Sequence, residues 1–343
     1  MAVDFIVVGA GSVGLNLAAR LAGSGLSVVL VTRTQEQAKR IEQQGAYLDD
    51  LQTARRIEVR VAAVSSLEAA QRLGPGAPVL LCTRSAEALA LAPRLGAVFS
   101  GAIVSWQNHV TSEQELARHC PRVVGGVWRQ TCTRIAPNGV RSIGAPRVIV
   151  GAYSQGSDRD VRPVADALRA AAFDVGVSPD IMADKWLKLC INLMSIPNAL
   201  IRKQDHRTSA FVEGKARLLE EAQAVVLGAG IVATSCDGRD RSLDEEIASQ
   251  RASLARGTSH RPAPVYNQVW RAFHQRSESP DDVGSLEADQ YHATFVELGR
   301  RHAVPTPLNA RVLDLARRAW ATRRAPECYG AAELFGADAS VGG

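Results

Sequence analysis

The chain has 343 residues, of which 46% are hydrophobic and 22% charged, with a formal net charge of +5. This is globular composition, long enough for two domains with their own cores. The arginines are scattered among acids, which excludes the basic tract of a nucleic-acid binder, and no apolar window approaches a membrane span.

The first apolar run, residues 3–8, has a strand's length and opens into a glycine turn, and Leu15–Gly23 reads as an amphipathic helix. Ser27–Val31 is a second β-branched run and Thr34–Gly45 a second helix. Pro78–Thr83 and Ala102–Trp106 read as strands around a helix at Ala86–Leu95, and Arg147–Val150 and Phe173–Val177 flank a helical stretch, Asp158–Ala172. Strands alternating with helices imply a parallel sheet wrapped on both faces, a Rossmann-type α/β domain. After Pro179 the apolar spacing turns helical: Asp180–Leu200, Ser209–Ala229, Leu243–Leu254, Ser285–His302 and Leu308–Ala321. The expected organisation is therefore a Rossmann domain over residues 1–178 and an all-helical domain over 179–326. A flexible tail over 327–343 follows, and loops are expected over Gly257–Gly284.

Six dispersed cysteines form no C-x-x-C pair and the histidines lack ligand spacing, so neither a metal site nor a disulfide framework is expected. The N-terminus has no charged leader, which makes a reducing cytoplasm the expected location.

Gly9-Ala10-Gly11-Ser12-Val13-Gly14 sits between a strand and a helix, the setting in which G-x-G-x-x-G binds a dinucleotide. The first glycine permits the tight turn, the second admits the pyrophosphate and the third lets helix pack on strand, while the helix N-terminus offers free N–H groups. The second strand ends Val31-Thr32-Arg33-Thr34 with no acid to grip a ribose 2′-hydroxyl. Arg33 offers a forked cation to a 2′-phosphate, with the Thr32 and Thr34 hydroxyls nearby, so NADP(H) is favoured over NAD(H). An ordinary surface arginine is the plainer alternative. Lysine occurs only at positions 39, 185, 188, 203 and 215. Lys188 and Asn192 share a helix face, with Lys185 and Ser195 extending the stripe and Trp186, Leu189, Cys190, Leu193 and Met194 on the apolar side. By spacing alone this could equally be a solvated face.

Together these segments resemble the ketopantoate reductase (2-dehydropantoate 2-reductase) family. The resemblance rests on the glycine turn with its arginine, on Val79–Arg84 followed by Val104–Asn108, on Lys185–Asn192, and on Glu287-Ala288-Asp289 leading to Val304-Pro305-Thr306-Pro307. It implies an NADPH-dependent reductase of a small 2-oxo acid in which Lys188 is the general acid. By the same resemblance Asn108, Asn192 and Glu287 contact substrate, and Arg84 and Asn108 face the cofactor. A homodimer is left open. A first-turn carboxylate also suits a helix dipole and an asparagine suits a turn, so Glu287 and Asn108 keep structural alternatives. Departures cluster around the substrate: Arg84 stands for a lysine, His109 for a glycine and Ile196 for a second asparagine. The family's carboxylate-binding serine has only Ser277 and Ser279 as candidates. A homologue acting on another carbonyl or imine therefore stays open, as does an NADPH-binding sensor, which would have no need of the lysine.

Overall fold

The computed structural model describes residues 2–154, 158–255, 288–322, 324 and 326–336. Two compact units result, Met1–Lys185 and Trp186–Gly343.

The first unit opens with β1 (Phe5–Val8), α1 (Ser12–Gly23), β2 (Val28–Val31) and α2 (Gln35–Gln44). Then come β3 (Ala46–Asp50), β4 (Arg55–Val59), β5 (Ala62–Val64), α3 (Leu67–Leu73), β6 (Val79–Leu81), α4 (Ser85–Val98), β7 (Ile103–Ser105) and α5 (Ser112–Ala117). It continues through β8 (Val123–Trp128), β9 (Thr131–Ala136), β10 (Gly139–Ile143), β11 (Arg147–Ala152), α6 (Asp158–Ala170) and β12 (Asp174–Val177). The main sheet runs β12-β11-β8-β7-β6-β1-β2-β5. Its six strands from β8 to β5 have the doubly wound Rossmann order, with the reversal at β1 and β6, where the chain leaves one face for the other. Alternate residues divide between two cores. Val7, Leu30, Leu80 and Val104 face α1 and α6, while Ile6, Val8, Val31 and Leu81 face α3, α4 and α5. Burial on both sides explains why these strands are continuous apolar runs.

Two features depart from the plain parallel sheet. β8 and β11 pair antiparallel. A second sheet, β4-β3-β10-β9, covers α1. In it β3 alternates buried and half-buried residues, and β4 has no buried residue and carries the exposed Arg55, Arg56 and Glu58, so the apolar run that marks the main sheet is missing. Arg20 of α1 reaches Asp50 of β3 at 2.9 Å, both buried, which ties the helix to this sheet.

Helix α7 (Ile181–Asn192) crosses from the first unit into the second. The expected single helix to Leu200 is broken, with α8 confined to Ser195–Leu200. Pro197 has no N–H for the Leu193 carbonyl and its ring would strike it, so the helix must restart. The second unit continues with α9 (Ser209–Gly228), α10 (Leu243–Ala255), α11 (Ala288–Arg301), α12 (Pro307–Ala321) and α13 (Ala331–Phe335), and no strand longer than an isolated bridge occurs among its described residues. Residues 327–336 correct the expectation of a loose tail. Tyr329 bridges to Ile201, and Phe335 is buried against Gly214. The small residues that suggested disorder are an interrupted packing segment, with Tyr329, Leu334 and Phe335 as its anchors. Gly257–Gly284, Ser277, Ser279 and Glu287 lie outside the described residues.

Candidate active site

The glycine turn is built by contact as much as by conformation. Gly9 has φ +106°, and a Cβ there would lie 3.0 Å from the backbone of Cys82 and Thr83. At Gly14 a Cβ would stand 1.9 Å from the Gly9 carbonyl oxygen, so the helix packs on the turn only because Gly14 has no side chain. Gly11 differs: a Cβ there would touch nothing within 4 Å. It is the N-cap of α1, makes no side-chain cap bond, and the first turn of the helix holds no acid. Ala10 and Val13 are packed inward, and the Ser12 hydroxyl accepts from the Arg134 N–H at 2.9 Å. The turn thus leaves backbone donors and an uncompensated positive helix end for an anion, and the residues fit a dinucleotide's pyrophosphate.

Val8 lies in register with Val31 on one side and Leu81 on the other, so the segments after β2 and β6 flank the turn. Arg33 and Arg84 are both exposed on these segments. Arg33 forms an ion pair with Glu87, whose other oxygen accepts from the Arg84 N–H at 3.0 Å and caps α4. The two threonines are less available than their positions suggest. Thr32 is buried and donates to the Thr34 carbonyl at 2.8 Å, and Thr34 caps α2 by accepting from the Gln37 N–H. Only the Thr34 hydroxyl proton stays uncommitted by these bonds. Sequence reasoning missed Glu87, although a glutamate three residues after a helix N-cap is the capping-box signal.

Beyond β7, the buried Gln107 side chain donates to the Leu81 and Thr83 carbonyls at 3.0 and 2.9 Å, stitching two strand ends together. Asn108 and His109 follow, both half-buried. His109 Nδ1 lies 2.8 Å from the Thr111 hydroxyl, and burial, with the nearby Lys185 charge, lowers its pKa, so the ring is neutral at neutral pH. The spacing places Lys185 on the polar stripe with Lys188. Instead its ammonium is buried, donates to the Gln107 carbonyl at 2.8 Å and pairs with the buried Glu113. Low exposure of both partners makes this an internal clamp on the loop that carries Asn108. Glu113 gave no sequence signal apart from its place in a helix's first turn.

In the second unit Lys188, Asn192 and Ser195 are half-buried, while Leu187, Leu189, Cys190, Leu193 and Met194 are buried. Trp186 packs edge-on against Phe295 at 6.2 Å. The end of α7 rests on a buried polar group, in which His292 Nδ1 is 2.8 Å from Asn309 Oδ1 and the ring also meets the Leu193 backbone. Glu221 then accepts from the Leu308 and Asn309 N–H groups at 2.8 and 3.2 Å, capping α12. Burial lowers the pKa of His292 to about 4. Among the described residues no cluster of potential metal ligands occurs, and no helix is long and apolar enough to cross a membrane.

Residues 5–155 match the family model described as Ketopantoate reductase PanE/ApbA. A 2-dehydropantoate 2-reductase of Pyrococcus abyssi is 25% identical over 236 residues, 66% of this chain and 74% of its own length. The chain is similar to the ketopantoate reductases. The likeness extends across both units in solved structures. A PanE/ApbA family ketopantoate reductase from Ralstonia eutropha superposes with a TM-score of 0.72 at 21% identity, over 93% of this chain and 99% of that one. A D-mandelate dehydrogenase bound to NADH and anilino(oxo)acetate gives 0.75 at 16% identity, over 94% and 99%. At these identities the structures establish the fold alone. A second curated 2-dehydropantoate 2-reductase, from Pyrococcus horikoshii, is 24% identical over 66% of this chain and 74% of its own length.

Proposed function

We propose that the chain is an NADPH-dependent reductase that converts a 2-oxo acid to the 2-hydroxy acid, with 2-dehydropantoate as the prototype substrate and Lys188 as general acid. The observation that carries this reading is the half-buried polar stripe Lys188–Asn192–Ser195 beside the buried Leu187, Leu189, Cys190, Leu193 and Met194, in a chain similar to the ketopantoate reductases. When bound, the nicotinamide would supply the hydride that the carbonyl carbon takes up. The backbone donors after Gly9, up to Gly14, would hold the pyrophosphate, Arg33 and the Thr34 hydroxyl would hold the 2′-phosphate, and Arg84 would add a second cation. Lys188 protonates the carbonyl oxygen as negative charge grows there. Asn192 orients the substrate or the lysine, Asn108 fixes the carbonyl, and Glu287, by resemblance, accepts from a substrate hydroxyl.

A second reading keeps the chemistry and changes the substrate. His109 favours it: a neutral imidazole stands beside Asn108 where the resembled family has glycine. Loss of NADPH absorbance with 2-dehydropantoate and a panel of other 2-oxo acids tests both. Turnover of 2-dehydropantoate selects the first, turnover of another carbonyl alone the second, and cofactor binding with no turnover ends both.

A further inference from the structure

Arg33 carries the expected preference for a 2′-phosphate, yet it is held by a carboxylate. Glu87 spans the turn from the far side of β1: its first oxygen takes the Arg33 guanidinium and its second takes the Arg84 N–H at 3.0 Å. The second bond matters most. A surface carboxylate paired only with a long arginine could swing away at little cost, since exposed pairs of this kind are weak. Glu87 is anchored by the helix it caps, so it keeps its charge beside Arg33 whether or not Arg33 stays with it.

We propose that Glu87 is a specificity-determining residue for the cofactor, one that holds NADPH and NADH close in affinity. A 2′-phosphate must draw Arg33 off Glu87 and then sit near a fixed carboxylate of like charge, which weakens NADPH. A ribose 2′-hydroxyl has the opposite response, because it can donate to that same carboxylate, the role an acid at the end of the second strand has in NAD-selective sites. The acid missing after Val31 is thereby supplied from α4. This inference rests on the dinucleotide part of the proposed function and is independent of the substrate.

The test is direct titration of the full chain with NADPH and with NADH, read by tryptophan quenching, in the wild type and in Glu87→Gln. Glutamine can still accept the Arg84 N–H, so the cap survives while the charge is removed. The wild type is expected to prefer NADPH by roughly tenfold or less, and Glu87→Gln to raise that preference about tenfold further, chiefly by tightening NADPH. A ratio that stays within twofold of the wild type, or falls, overturns the role of Glu87 while the reductase reading stands. A wild type that binds neither nucleotide overturns the cofactor reading and this inference together.

Discussion

In the turn Gly9–Gly14 the groups proposed to act are backbone N–H donors, whereas in helix Ile181–Asn192 the proposed groups are side chains set along one face. The turn excludes side chains, because a Cβ at Gly9 or Gly14 collides with backbone at 3.0 or 1.9 Å. The helix gives neighbouring lysines unlike environments: Lys185 is buried in an ion pair, and Lys188 one turn later is half-buried. A backbone site is therefore specified by what is missing at fixed spacing. The side-chain site depends on where each residue of the helix ends up.

The strongest way to break that contrast is Lys188→Ala. If the lysine supplies the proton, kcat falls about 10²- to 10⁴-fold with NADPH affinity within twofold of the wild type, as measured by turnover and by titration. Turnover within tenfold of the wild type would leave the helix without its assigned chemistry. Lys185→Met asks the complementary question of the neighbouring lysine. It strands Glu113 as a buried charge and is expected to cost about 3–5 kcal/mol in urea unfolding, most of it regained in Lys185→Met/Glu113→Gln. A negligible loss would mean that the pair is no structural clamp.

How legible each region was follows from the same difference. Gly9, Gly11 and Gly14 announced the turn, and the apolar runs at Phe5–Val8, Val28–Val31 and Val79–Leu81 announced the sheet around it, because burial on both faces leaves no polar position. The four-stranded second sheet was hidden, because residues such as Arg55, Arg56 and Glu58 are exposed and leave β4 without an apolar run. Lys185 and Lys188 were indistinguishable by spacing, since only tertiary packing decides that one meets Glu113 and Gln107. The break after Asn192 could have been read from Pro197.

The support beneath the lysine helix makes a pH prediction. His292 is buried with its pKa lowered to about 4, against about 6.5 for an unfolded histidine. Between those values the unfolded chain binds a proton that the folded ring refuses. Stability is therefore unaffected by this group above pH 6.5 and declines as pH falls towards 4, by about 3 kcal/mol at most. Urea unfolding at pH 7 and pH 4.5 measures the slope, and His292→Asn should flatten it. An unchanged slope in that variant would assign the acid sensitivity to other groups.

The smallest expected effect separates cofactor binding from folding within the turn itself. Gly14→Ala places a methyl 1.9 Å from the Gly9 carbonyl oxygen, so the variant must distort the turn and lose stability and affinity together. Gly11→Ala meets nothing within 4 Å, and its unfolding midpoint should match the wild type. The added methyl does stand where the pyrophosphate must approach. Overpacking of that kind costs about 1–3 kcal/mol, roughly ten- to hundredfold in NADPH affinity. Affinity equal to the wild type in a stable Gly11→Ala would show that the anion approaches elsewhere. Gly9 and Gly14 would then be explained by packing alone, and the distinction between a backbone site and a side-chain site would disappear.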